Sequence, residues 1–229
     1  MNEIGGGIRR TAGVAAVRAA LGRARRRLVA GLARARFRSG IDGVALTFDD
    51  GPHPEHTPAI LDVLSATGVP ATFFVEGRKA ESFPHLVRRM RDEGHAVGTH
   101  SMTHPNMRQV RAWTAISDSR QGRKTVEQIL GQHVPMFRPP MGRLTILLSF
   151  AVRGRGWATW LWSDDSYDWK SDATPASILD ACGGVSRGSI IVLHDDLPVT
   201  VDATRVLIDH FASTGTPLVA LPANRTTRP

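Results

Sequence analysis

Cysteine is nearly absent from this chain: Cys182 is the single one among 229 residues. No intramolecular disulfide can form, which is compatible with a reducing compartment. Cys182 precedes Gly183-Gly184 at the end of an apolar stretch and reads as a small core residue rather than a nucleophile. Residues 1–40 lack lysine and hold one acid, Glu3, against ten arginines, a balance of +9. The other 189 residues carry 19 Lys+Arg and 20 Asp+Glu, so the net charge of +8 belongs to the leader and the remainder stands at −1. A nucleic-acid-binding domain would carry its positive face on the fold itself, so no nucleic-acid partner is expected. Long uncharged runs are also missing from the leader. The longest, Thr11–Val17, has seven residues, too few for a transmembrane helix. Arginines interrupt every candidate apolar core, which makes a secretory signal a poor fit. The expected location is cytoplasmic or peripheral on the inner membrane face.

What the leader does contain is a helical period. Val14, Val17, Leu21, Ala24, Leu28, Leu32 and Ala35 recur at steps of three and four beside an arginine-rich face. Such a helix can lie on an anionic membrane surface, arginines on phosphates and the stripe dipped into the interface. Packing of the same helix on the following domain, or a flexible arm, is the alternative.

From residue 43 onward strand-like and helix-like segments alternate. Strand patterns fall at 44–48, 71–75, 96–99, 136–137, 157–162, 190–193 and 218–221. Helical patterns fall near 56–67, 83–93, 108–130, 144–153, 175–182 and 202–213. This alternation predicts an α/β fold with a mainly parallel sheet, closed into an irregular (β/α) barrel of about seven strands. Residues 41–229 are expected to form one catalytic domain behind the leader of residues 1–40. In such folds reactive groups gather where the strands finish. Asp49-Asp50, His100, Arg138, Asp165 with Asp168, and His194 all follow or end predicted strands. Seven polar groups at five strand ends are hard to explain as unrelated turns.

His100 and His104 are separated by three residues, so one helical turn or a tight loop points both imidazoles the same way. Two histidines and a carboxylate make a ligand set for a divalent metal that keeps an open position. Zinc fits best; cobalt, nickel or iron suits similar geometry. Only one of the two aspartates is needed as a ligand, which leaves the other free as a base beside the ion. Adjacent residues on an extended segment point in different directions, so the two carboxylates can do different work.

The ordered segments "TFDDGP" (47–52), "THSMTH" (99–104), "RPPMG" (138–142), "DSYDW" (165–169) and "VLH" (192–194) resemble the five motifs of the NodB-type polysaccharide deacetylases, carbohydrate esterase family 4. The resemblance covers about residues 43–221. It implies an irregular barrel and metal-dependent removal of N- or O-acetyl groups from carbohydrate. Carried over motif by motif, Asp49 is the catalytic base and Asp50, His100 and His104 are the metal ligands. Arg138 holds Asp49, Asp168 orients His194, and His194 is the general acid that protonates the departing amine or alcohol. Trp169 lines the acetyl pocket, and the backbone N–H of Met141 is the oxyanion donor.

Two positions depart from the family pattern. Met141 stands where tyrosine is common, which bears on sugar contacts more than on hydrolysis, and Val192 stands where leucine is usual. Trp160 and Trp162 alternate on one strand and are expected in the core, with stacking of one on a sugar as the alternative; Asp195 and Asp196 are expected as solvated loop carboxylates, with binding of a substrate amine as the alternative. His53, His85, His95, His133 and His210 lack a motif context. Three other functions stay open: hydrolysis of a different amide, such as formyl or ureido, carbohydrate binding without catalysis, and a membrane-surface adaptor whose enzyme domain is vestigial.

Overall fold

A computed structural model of the protein describes residues 20–223 apart from residue 23. Helix α1 occupies 20–22 and 24–33. It is followed by β1 (Ala45–Asp49), α2 (His56–Thr67), β2 (Thr72–Val75), α3 (Gly77–Ser82), α4 (Pro84–Asp92), β3 (Ala96–Thr99) and α5 (Ala112–Leu130). Then come β4 (Met136–Phe137), α6 (Ile146–Gly154), β5 (Ala158–Thr159), β6 (Asp164–Asp165), α7 (Pro175–Cys182), β7 (Ile190–His194) and α8 (Pro198–Ser213). Every strand pair is parallel, in the order β5-β4-β3-β2-β1-β7-β6. The expected irregular barrel is present, with β5 and β6 as margins that do not join.

Side-chain parity decides what faces the interior. Along β1, Leu46 and Phe48 enter the outer core with Ile60, Leu64, Leu207 and Phe211 from α2 and α8. Successive side chains point to opposite faces of a strand, so Ala45, Thr47 and Asp49 turn inward. The same alternation sends Ile191 and Leu193 of β7 outward and leaves Ile190, Val192 and His194 inside. The register pairs Asp49 with His194 directly across β1 and β7. Two active-site candidates are therefore neighbours because both strands end at one level.

Four elements differ from expectation. The pattern at 157–162 shortens to β5, since Trp160 bridges Arg36 rather than continuing the ladder. The acidic pair Asp164–Asp165 instead pairs with β7 as β6. The 218–221 pattern makes one bridge, Val44 to Leu218, and no strand; Pro217 and Pro222 flank it and supply no N–H donors. Helix α3 has six residues, too few for an apolar period to show in the sequence.

The buried face of α1 is offset by one residue from the apolar stripe. Val29 and Ala33 pack with Phe137, Leu148, Val152 and Trp157, and Ser149 Oγ donates to the Val29 carbonyl at 2.9 Å. Leu21 and Leu28 of the stripe remain 66% and 61% exposed. Val14 and Val17 lie outside the described residues. Cys182 is buried in the core, and burial pushes its thiol up to about 12, which fits a packing residue and not a nucleophile.

Candidate active site

The strand ends converge on a cavity of about 410 Å³ lined by Asp49, Asp50, His100, His104, Met141, Arg143, Trp162, Asp165, Trp169, Val192 and His194. Five of the six non-glycine residues with positive φ among the described residues sit in its loops: Asp50, Ser101, His104, Met141 and Tyr167. Such backbone is costly for side-chain-bearing residues and collects at functional sites.

The adjacent aspartates separate as the strand parity requires. Asp49 turns inward and is buried, and Arg138 Nη1 donates to its Oδ1 at 2.7 Å. Arg138 is itself fully buried at the end of β4. It also donates to Thr47 Oγ1 at 2.8 Å and to the Leu161 carbonyl at 3.4 Å, with its guanidinium 4.2 Å from the Phe74 ring centre. Burial pushes the Asp49 carboxyl above the usual carboxylate range, against the pull of Arg138 and His194.

Asp50, in left-handed backbone at φ 71°, points elsewhere. Its Oδ1 lies 3.4 Å from His100 Nε2 and 3.2 Å from His104 Nε2. That oxygen is buried without a hydrogen-bond partner. Burial pushes His100 down to about 3, so its imidazole is neutral and its approach to Asp50 is not an ion pair. One donor atom from each of Asp50, His100 and His104 lies within 4.8 Å of the others. Atoms held about 2.0–2.1 Å from one tetrahedral zinc would be about 3.3 Å apart, so the separations and the orphaned oxygen fit a divalent ion. The residues can hold a metal; its identity is a separate matter.

The histidine segment is a tight loop rather than a helical turn. His104 N donates to Ser101 Oγ at 3.1 Å, and Asp118 of α5 accepts from Met102 N at 2.9 Å and Thr103 Oγ1 at 2.7 Å. Gly122 lets α5 approach this loop, since a Cβ there would overlap the Ser101 carbonyl. Gly51 plays the same part under Asp50, where a Cβ would overlap the Asp195 carboxylate.

Opposite the carboxylates, His194 Nδ1 meets Asp168 Oδ1 at 2.7 Å. Asp168 Oδ2 accepts from His194 N at 2.7 Å and from Thr200 Oγ1 at 2.8 Å. Burial works to raise Asp168, but these hydrogen bonds hold it below the usual carboxylate range. Burial likewise opposes charge on His194, yet Asp168 outweighs it and the imidazole is pushed up to about 9. An ionised carboxylate only accepts, so Nδ1 carries its proton toward Asp168 and Nε2 is left to the cavity.

Met141, at φ 54°, and Trp169 line the cavity wall. Two lining residues, Trp162 and Arg143, lie outside the motifs, and a third, Asp165, stands in a motif without an assigned role. Asp165 accepts from Trp169 Nε1 at 3.3 Å and from Tyr167 N at 3.0 Å, fixing the tryptophan. Trp162 faces the cavity while Trp160, two residues earlier, is wholly buried in the core. Arg143 stands beside Met141 with no motif to mark it. Asp195 corrects the expectation of a solvated carboxylate: it is buried, accepts from Thr57 Oγ1 at 2.5 Å, and burial pushes it up to about 7. Asp196 pairs with Lys79 at 2.9 Å.

A model of the family described as polysaccharide deacetylase matches residues 38–153. A peptidoglycan-N-acetylglucosamine deacetylase of Bacillus cereus is 35% identical over 185 residues, covering 79% of this chain and 67% of the relative. A chitooligosaccharide deacetylase of Bradyrhizobium sp. is 38% identical over 164 residues, covering 70% and 74%. The crystal structure of a peptidoglycan N-acetylglucosamine deacetylase in complex with 4-naphthalen-1-yl-N-oxidanyl-benzamide matches with a TM-score of 0.76 at 34% identity, over 83% of this chain and 92% of that one. Sequence and fold agree along most of the length, and the chain belongs to the polysaccharide deacetylase family.

Proposed function

We propose that the protein hydrolyses the acetamide of an N-acetylated sugar, releasing acetate and the free amine. The observation that carries this reading is the division between the neighbouring aspartates: Asp49 on Arg138, Asp50 on two imidazoles. A binder without catalysis has no use for a buried carboxylate beside an ion site and a charged histidine across from it.

In this reading Asp50, His100 and His104 hold a divalent cation, with zinc first, and cobalt, nickel or iron as alternatives. When bound, the cation polarises the acetyl carbonyl and acidifies nearby water. Asp49, oriented by Arg138, takes a proton from the attacking water as its oxygen bonds to the acetyl carbon. The backbone N–H of Met141 donates to the oxyanion that develops there. His194 then gives its Nε2 proton to the sugar nitrogen as the C–N bond breaks, while Asp168 keeps the ring oriented. Trp169, anchored by Asp165, forms one wall of the acetyl pocket.

The direct test is acetate release by metal-loaded protein from a panel of N-acetylated glycans and sugar phosphates, before and after chelation. Release that stops with chelator and returns with zinc is expected. Chelator-insensitive release, or release of formate alone from N-formyl analogues, would overturn this reading.

The arginine-rich leader, residues 1–40, is proposed to hold the protein on an anionic membrane surface. Among the described residues no helix is long and apolar enough to cross a membrane. Leu21 and Leu28 are exposed beside arginines, and α6, which packs on α1, leaves Ile146, Leu147 and Phe150 at 51%, 59% and 52% exposure. Exposed apolar side chains next to cations suit a lipid interface. Leu28→Asp with Phe150→Asp is expected to cut co-flotation with phosphatidylglycerol vesicles at least about tenfold; undiminished flotation would remove the membrane from the scheme.

A further inference from the structure

A second cavity, of about 490 Å³, adjoins the first and is lined by Arg26, Arg27, Phe37, Trp162, Ser163, Asp165 and Tyr167. Trp162 and Asp165 border both cavities, so one tryptophan side chain forms the partition between them. The Arg26 guanidinium lies 5.6 Å from the Trp162 ring centre. Its Nη2 is 3.4 Å from where a Cβ of Gly142 would be, next to Met141 of the acetyl pocket. Arg143 lines the acetyl cavity on the same side. Partial burial and repulsion from Arg25, Arg143 and Arg26 push the Arg108 guanidinium below its usual range, so each of the three acts on Arg108. Among the described residues none of the four forms an ion pair with a carboxylate. Asp165, the acid on this wall, accepts at Oδ1 from Tyr167 N and Trp169 Nε1 and forms no ion pair with these arginines.

Like charges without counter-charge repel, and a cluster of this kind is stabilised by an anion that several guanidiniums share. We propose that Arg26 and Arg143 form an anion subsite beside the acetyl pocket, and that the substrate is an N-acetyl sugar carrying a phosphate ester. The sugar lies against Trp162 with its acetamide at Asp49, and the phosphate extends past the tryptophan to the arginines. Phosphate suits the cluster better than a carboxylate, because it offers more charge and more acceptor oxygens to several planar donors. This inference rests on the hydrolase reading for the position of the acetamide, and the subsite is tested by binding.

The experiment compares N-acetylglucosamine 1-phosphate with methyl N-acetylglucosaminide on the zinc-loaded full-length chain, by tryptophan fluorescence titration at about 50 mM and about 500 mM salt. The phosphorylated sugar is expected to bind at least about tenfold tighter at low salt, with the ratio shrinking as salt screens the arginines. In Arg26→Gln/Arg143→Gln the ratio is expected to fall toward unity. Phosphatidylglycerol vesicles, which carry phosphate without the sugar, are not expected to displace the sugar phosphate. Equal affinities in the wild type, a preference that survives the double substitution, an equal preference for an N-acetylated sugar acid, or displacement by vesicles would each overturn the proposal. Tight, arginine-dependent binding without acetate release would sink the hydrolase reading and leave the subsite standing.

Discussion

Asp49→Asn is expected to lower kcat on an N-acetylated sugar by at least about a thousandfold while bound metal stays near one ion per chain, since proton transfer by a positioned base is worth about 10²–10⁴ and an amide side chain cannot accept the proton. The carboxylate that would bind the ion is Asp50, and the change at the neighbouring position leaves its approach to His100 and His104 in place. The complementary substitution, His100→Ala, is expected to remove both metal and turnover. The pair separates the two jobs. Full activity in Asp49→Asn would overturn the base assignment, and full metal occupancy in His100→Ala would remove that ligand. A stability cost accompanies the first variant. Arg138 is wholly buried on Asp49 at 2.7 Å, and removing one partner of a buried pair costs about 3–5 kcal/mol. Assays therefore belong well below the variant's melting temperature, with circular dichroism as the check on folding. The acid limb of the wild-type profile is set by the same group. Burial raises Asp49, so activity is expected to fall at a pH above the ordinary carboxylate range as the base is protonated. A cation held by Asp50, His100 and His104 pulls that limb lower.

The second large effect is expected at His194. His194→Gln is expected to slow amide hydrolysis at least about a hundredfold, yet to slow hydrolysis of p-nitrophenyl acetate far less, because nitrophenolate leaves without a proton. Equal losses on both substrates would make His194 a structural residue. The pH dependence carries a definite sign. His194 must be protonated to donate, and Asp168 pushes its pKa up to about 9. The donor is therefore present below that value and lost as pH rises through it. Stability from the raised histidine follows the same direction: present below the unfolded value of about 6.5, and lost as pH rises through about 9. Asp168→Asn removes the carboxylate, so the basic limb of kcat is expected to move toward about 6.5. A limb that stayed in place would break the link between the two residues.

The legible part of the site was the part that sits at strand ends. Asp49, His100, Arg138, Asp168 and His194 stand where apolar runs stop, and the five motifs name them. The less legible part came from three sources. Trp162 and Trp160 share a strand-like pattern, and neither their type nor their spacing says which one meets the cavity. Asp195 belongs to an acidic pair after a strand, which reads as solvent-exposed, but the approach of Gly51 and Thr57 encloses it. Arg143 and Arg26 belong to no motif, and Arg26 comes from a helix far away in sequence from the Trp162 it covers.

Residue order alone determined the alternating α/β plan, the opposite directions of Asp49 and Asp50, and which polar groups end the strands. These are local properties: period-two alternation, helix period and turn residues act over a few positions. The tertiary structure decided the rest: the burial of Asp195, the turn of Trp162 rather than Trp160 to the cavity, and the docking of α1 through Val29 and Ala33 instead of Leu21 and Leu28. Those outcomes depend on which surfaces fit together across the whole chain, and close packing between distant segments is not written in any short stretch of residues.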